Sequence, residues 1–136
     1  MLGSIIEAKG LHMDVETLKR FTDVGMKPEE AIYRFLGKED IYKKFLKKYL
    51  ADTGIDSIRQ SLEKKDAYEV FKAAHTLKGV AANLGLEIIQ NKASEITECT
   101  REKTYEEFDI GQLERLIAEL EDCNSRVCEV IEGYCQ

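Results

Sequence analysis

Apolar residues in this chain recur every three or four positions along nearly its whole length. Nowhere do they alternate strictly between turn signals. A period of about 3.6 gathers apolar side chains on one face of an α-helix, whereas a half-buried strand needs a period of two. The spacing therefore predicts an all-α fold and makes β structure improbable. One proline, no tryptophan and an abundance of Glu, Lys, Leu, Ile and Ala point the same way. With 43% hydrophobic and 34% charged residues, the chain is neither disordered nor membrane-embedded, and 136 residues suffice for one domain with a sizeable core.

Residues 1–12 carry little pattern and are expected to be loosely ordered, with His12 a solvated bystander. Asp14 is a fitting N-cap for a short helix to about Val24, with Val15, Leu18 and Phe21 (or Thr22) on one side and Gly25 after it. Pro28 opens a second short helix at its first position, followed by Glu29 and Glu30 in the turn that favours acidic residues. Its apolar residues are Ala31, Ile32, Phe35 and Leu36, and Gly37 closes it. From Glu39 to Lys64 the stripe runs Ile41, Phe45, Tyr49, Ile55, Ile58 (or Arg59) and Leu62. It has one imperfect slot at Asp52. We read one long helix there, with Gly54 as the place for a kink or break.

The next helix spans Asp66 (or Ala67) to Leu84, with Val70, Ala73 (or Ala74), Leu77, Val80 (or Ala81) and Leu84 inward and Gly85 in a left-handed cap. Another spans Leu86 to Arg101, with Leu86, Ile89, Ala93, Ile96 and Cys99 (or Thr100) inward. Residues 102–108 connect it to a last helix, Asp109 to Gly133. Its stripe is Leu113, Leu116/Ile117, Leu120, Cys123, Val127 and Val130/Ile131. Long amphipathic helices with short connections favour an antiparallel up-down four-helix bundle over 39–134, with the short helices of 13–37 capping one end. No linker, repeat or low-complexity tract appears, so 1–136 is expected to form a single domain.

The chemistry concentrates at Ala74-His75-Thr76-Leu77-Lys78-Gly79-Val80-Ala81-Ala82-Asn83-Leu84-Gly85. His75 lies about 160° around the helix from Leu77 and so faces outward. Its neighbours one turn away are Phe71, Lys72, Lys78 and Gly79, and Ala82 follows a turn later. An imidazole with an ordinary pKa of about 6.5 is largely neutral and nucleophilic near pH 7. A phosphoryl group placed on it would be strongly anionic, and Lys78 is one turn away to meet that charge. A glycine inside a helix costs about 1 kcal/mol relative to alanine. Gly79 therefore calls for a reason, and close approach of another molecule to His75 supplies one. Ala82 keeps the surface low, and Phe71 and Lys72 offer contacts at the rim. A lone His with a nearby Lys is commonplace on helices. The mid-helix Gly79, the small Ala82 and an exposed Phe71 give the pair its weight.

This segment resembles the signature of histidine-containing phosphotransfer (HPt) domains, an A-H-x-L-K-G core followed by small residues and a glycine at the helix end. The likeness extends upstream through Ala31-Ile32-Tyr33-Arg34-Phe35-Leu36-Gly37, Asp40-Ile41-Tyr42, Phe45-Leu46 and Leu62-Glu63-Lys64-Lys65-Asp66, and covers roughly Gly25 to Arg101. It implies a four-helix bundle with an exposed phosphoacceptor His75, modified at Nε2. Lys78 would stabilise the phosphoryl group and Gly79 would give steric clearance. Response-regulator receiver aspartates, or a hybrid sensor kinase, would be the donors and acceptors. The Mg²⁺ would come from the receiver, and this chain would need no cofactor. One feature departs from the family: many members carry Leu-Glu on the following helix, where this chain has Ile96-Thr97. Glu95 or Glu98 would have to substitute if that carboxylate matters.

Several classes are disfavoured. A net charge of −6 argues against general nucleic-acid binding. No apolar run approaches the ~20 residues that span a bilayer, and the first residues lack the pattern of a secretory signal, so we expect a cytoplasmic protein; a small free-standing monomer is the default, and a fragment of a larger hybrid or chemotaxis-type kinase is the alternative. There is no phosphate-binding glycine loop and no room for a kinase domain, hence no transfer from ATP by this chain itself. A di-metal carboxylate bundle needs Glu-x-x-His on two helices, whereas Lys72 precedes His75 by three and Lys9 precedes His12 by three. Cys99, Cys123, Cys128 and Cys135 form no C-x-x-C pair and read as small buried residues or free thiols. The Lys43-Lys44 and Lys47-Lys48 pairs read as a solvated helix face. A helical adaptor that binds receivers or a kinase without being phosphorylated is the competing function.

Overall fold

Aspartates start three of the helices. Asp14 Oδ1 accepts from the Thr17 N–H at 2.7 Å, Asp66 Oδ1 from Glu69 at 3.2 Å and Asp109 Oδ1 from Gln112 at 3.1 Å. Each satisfies an amide that the helix itself leaves without an acceptor. In the computed structural model, which describes Ile5–Ile6 and residues 13–136, the helices are α1 (Val15–Asp23), α2 (Pro28–Arg34), α3 (Glu39–Ala51), α4 (Ile55–Glu63), α5 (Ala67–Leu84), α6 (Glu87–Thr100) and α7 (Ile110–Tyr134). A single 3₁₀ turn, Tyr105–Glu107, closed by a reciprocal Thr104–Glu107 capping box, occupies the connection before α7. The fold is all-α in class.

β structure does occur, against the expectation from the pattern. Two-residue strands β1 (Ile5–Ile6) and β2 (Met13–Asp14) pair antiparallel, Ile5 opposite Asp14 and Ile6 opposite Met13. Strands this short hold no alternation for a periodicity argument to find. Otherwise the readings for residues 1–12, His12 and Lys9 among them, lie outside the described residues.

Three further departures, and the break the sequence left open at Gly54, have physical causes. The stretch 39–64 is two helices, because the chain leaves helical geometry at Asp52 and Thr53 and Gly54 adopts φ +81°. Asp52 accepts from the Gly54 N–H at 3.1 Å, so the imperfect slot in the stripe is an Asx turn. On α3 the buried side is Tyr42, Leu46 and Tyr49, one residue out of register from Ile41 and Phe45. Tyr42 is fully buried yet satisfied, its hydroxyl donating to the Leu84 carbonyl at 2.8 Å. Leu36 is 83% exposed rather than inward, because α2 ends at Arg34 and Leu36 turns away at φ +60°. On α1, Phe21 is buried and Leu18 half-buried, but Val15 is exposed at the first helical position.

The α7 stripe of Leu113, Leu116, Ile117, Leu120, Cys123, Val127 and Ile131 is buried. Each large member contributes about 1.5–3 kcal/mol on burial. Helix α7 is tied to α3 by hydrogen bonds between Tyr49 and Asn124 and between Tyr134 and Glu39. The numbering of these pairs runs in opposite directions, so α3 and α7 run oppositely. Arg59 of α4 grips Glu121 through Nε (3.0 Å) and Nη2 (2.9 Å) and Glu114 through Nη1 (3.1 Å), both on α7. Lys92 of α6 reaches Glu119 of α7 at 2.7 Å. Helix α5 packs between α4 and α6.

Two connections interlock where α5 ends. The Lys27 N–H donates to the Gly85 carbonyl at 2.7 Å, and the Ile88 N–H to the Gly25 carbonyl at 2.9 Å. Arg34 adds a side-chain cap, its Nη1 donating to the Ala82 carbonyl at 2.7 Å. A cation at a helix C-terminus also meets the negative end of the helix dipole. The short α2 thus fixes the last turn of α5, the helix that bears His75.

Candidate functional site

Helix α5 buries Val70, Ala74, Leu77, Ala81 and Leu84. Of the alternatives left by the sequence, Ala74 and Ala81 are the core residues; Ala73 is half-buried and Val80 exposed. The opposite face carries His75, Thr76 and Gly79, all exposed, with Lys78 and Ala82 half-buried. A Cβ built on Gly79 would find no atom within 4 Å. No packing among the described residues asks for a glycine there, so the open space over Gly79 lies next to the imidazole.

The other candidate residues are distributed unevenly around His75. Phe71 is half-buried and its ring lies nearly parallel to the imidazole, 8° between planes and 5.8 Å between centroids. Lys72 is exposed and faces Glu69 at 3.9 Å, at the edge of an ion pair. Lys78 forms no ion pair with a described residue and is therefore the cation left available one turn from His75. Ala82 is committed through its carbonyl to Arg34 and presents only its methyl group. Tyr33 of α2 is exposed. Beyond Val80 an open groove of about 370 Å³ runs between α3 and α5, lined by Phe35, Phe45, Tyr49 and Leu84 among others.

Helix α6 contributes what the sequence had left undecided. Thr97 is buried and its hydroxyl donates to the Ala93 carbonyl at 2.7 Å, so it points nothing at His75. Glu95 faces Lys92 at 3.6 Å. Glu98 is the carboxylate near the site: its pKa is held below its ordinary value, first by hydrogen bonds from Arg101 and then by the positive charges of Arg101 and Lys78. Arg101, exposed at the end of α6, donates to Glu98 through Nε (3.3 Å) and Nη2 (2.9 Å). The sequence pattern assigned Arg101 no role. Its only local signal was the three-residue spacing from Glu98.

The cysteines are all unpaired, Cys123 buried and Cys99, Cys128 and Cys135 half-buried. Burial pushes the Cys128 and Cys135 thiols up, away from the reactive thiolate. No helix among the described residues is long and apolar enough to cross a membrane.

A regular helix thus presents a solvent-exposed imidazole beside an available lysine and a patch with no side chain, on a scaffold of all-α class. The family model of the Hpt domain matches residues 45–128, and the chain belongs to that family. Hpt domains act in phosphotransfer within phosphorelay signalling, where they interact with receiver domains and kinases. No curated protein and no solved structure matches the chain.

Proposed function

We propose that this chain is a phosphoryl carrier in a phosphorelay, taking the group on His75 from a receiver-domain aspartate and returning it to another. The observation that carries this reading is an exposed imidazole beside Lys78 and an empty Gly79 surface, inside a segment that matches the Hpt family. An imidazole nitrogen, by the family resemblance Nε2, forms the N–P bond as the aspartyl O–P bond breaks, and the O–P electrons leave with the carboxylate. Lys78 offsets the charge of the transferring group as a point cation. Gly79 and Ala82 let the receiver's active site descend onto the ring, with Phe71, Lys72 and Tyr33 at the rim. We assign the Mg²⁺ to the receiver. The side chains around His75 are chiefly cations, and the nearby carboxylate, Glu98, is engaged by Arg101, a donor set unsuited to a hard divalent ion.

The scaffold is read as an antiparallel up-down four-helix bundle in which α3 and α4 together form one bent arm beside α5, α6 and α7, with α1 and α2 over one end. The opposed α3–α7 hydrogen bonds and the short turn at Gly85 support this reading.

The test is phosphoryl transfer from a panel of phosphorylated receiver domains to the full chain. Acid-labile, base-stable label on the protein supports a phosphohistidine carrier. Absence of label on a folded chain from every receiver, together with receiver binding, would instead favour the adaptor. Two variants test the supporting roles. Lys78→Ala should keep the fold and slow transfer or shorten the life of the phosphorylated form about tenfold, the scale of one hydrogen bond to a charged group. Wild-type rate and lifetime would remove Lys78 from the site. Gly79→Gln should raise helix stability by about 0.5–1 kcal/mol, since the new Cβ enters open space, while obstruction lowers transfer roughly tenfold or more. Unchanged transfer in that variant refutes the clearance argument.

A further inference from the structure

Three planar groups line up across the α5–α6 boundary. The His75 imidazole lies nearly parallel to the Phe71 ring, and the Arg101 guanidinium sits over the same Phe71 ring, 5.1 Å from its centroid. Arg101 is in turn held by two hydrogen bonds to Glu98, one turn back on α6. Phe71 is only half-buried. Its ring lies outside the buried core cluster, so its orientation depends on the groups packed on it, the Tyr68 ring at 6.5 Å included. A guanidinium over an aromatic face is attracted by the ring's quadrupole. The Arg101 fork, already fixed on one edge by Glu98, loses little freedom in making that contact.

This arrangement bears on the reaction in a specific way. An exposed imidazole on a helix rotates freely about its side-chain bonds, yet in-line phosphoryl transfer needs one ring nitrogen aimed at the incoming phosphorus. Holding the ring in one plane converts that search into a standing geometry. We propose that Phe71 is a positioning residue that fixes the plane of the His75 imidazole, and that Arg101, anchored by Glu98, acts through Phe71 by holding its ring in place. The inference rests on His75 being the phosphoacceptor. It changes the role of Phe71 from a rim contact for the partner to part of this chain's own machinery.

The competing explanation for Arg101 is ordinary helix capping, a cation at the end of α6 where the dipole favours one. The two differ in what they couple. If Arg101 acts through Phe71, removing both should cost no more than removing Phe71 alone.

The experiment compares wild type, Phe71→Leu, Arg101→Ala, Arg101→Lys and the double variant Phe71→Leu/Arg101→Ala, all as the full chain. Nuclear Overhauser contacts between the Phe71 and His75 ring protons are recorded first, then the rate of transfer from a phosphorylated receiver. We expect the contacts to weaken in Arg101→Ala and to recover in part in Arg101→Lys. Transfer should fall roughly three- to tenfold in Phe71→Leu, less in Arg101→Ala, and no further in the double variant than in Phe71→Leu. Losses that multiply in the double variant would overturn the proposal, as would Phe71–His75 contacts that are unchanged in Arg101→Ala. Loss of thermal stability with transfer intact would leave only the capping role and overturn it too. A wild type that shows the ring contacts but accepts no phosphoryl group from any donor would sink the carrier reading, and with it this proposal's role in transfer. Absence of the ring contacts in a wild type that is readily phosphorylated would sink the positioning proposal alone.

Discussion

His75→Ala is expected to take up no phosphoryl group from any receiver that labels the wild type, while keeping its helical content and its melting temperature. The loss should be complete rather than partial because no other described residue offers a nucleophilic imidazole; the second histidine of the chain, His12, belongs to a different segment far from α5 in sequence. The fold should survive because His75 is exposed and forms no hydrogen bond with a described residue, and because alanine is the better helix former by about 0.5 kcal/mol. The side chain stacks on the Phe71 ring, and an offset aromatic contact at a solvent-exposed site is worth about 0.5–1 kcal/mol. The two terms nearly cancel, so circular dichroism melts of the variant and wild type should overlay within a few degrees. Label that persists on the alanine variant would move the phosphoacceptor elsewhere. A cooperative loss of helix would mean that the imidazole is structural, which contradicts its exposure.

The outward direction of His75 was legible because Val70, Leu77 and Leu84 define the buried side of α5 without ambiguity. Where two apolar sets compete at the same period, the sequence could not choose. On α3, Ile41 with Phe45 and Tyr42 with Leu46 satisfy helical spacing equally well. The choice falls to Tyr42 because its hydroxyl finds the Leu84 carbonyl, while Phe45 moves outward to stack on Phe35 at 5.2 Å. Both reasons are tertiary. The break at Asp52 left a local trace, a polar residue in an apolar slot, but the preference of Asp for bonding the amide two residues on is what turns that trace into a stop. Arg101 was invisible for a similar reason. Its bond to Glu98 follows from helical spacing, yet its place over Phe71 depends on how α6 lies against α5.

The largest effect on stability is expected at Gly85, where two independent demands meet. Its φ of +72° lies in the left-handed region, which costs a residue with a Cβ about 1–2 kcal/mol. A Cβ there would also stand 2.4 Å from the Lys27 carbonyl oxygen and 3.2 Å from the Ala31 Cβ. The oxygen is backbone and cannot swing aside. The Lys27 N–H is itself bonded to the Gly85 carbonyl, so relief requires moving the start of α2 away from the α5–α6 turn. Gly85→Ala should therefore lose about 3–5 kcal/mol, in the range of severe overpacking, and melt about 10 °C or more below wild type. Gly54→Ala is the control, with a similar φ of +81° and no atom within 4 Å of the new Cβ. It should lose only the backbone term, about 1–2 kcal/mol. Equal losses in the two variants would show that the close approach at Gly85 costs nothing. Gly85 lies ten residues beyond His75, about 15 Å along the helix. Below its transition, Gly85→Ala should therefore transfer phosphate at close to the wild-type rate. A drop in rate at full foldedness would mean that moving α2 reaches either the imidazole or the receiver contact at Tyr33.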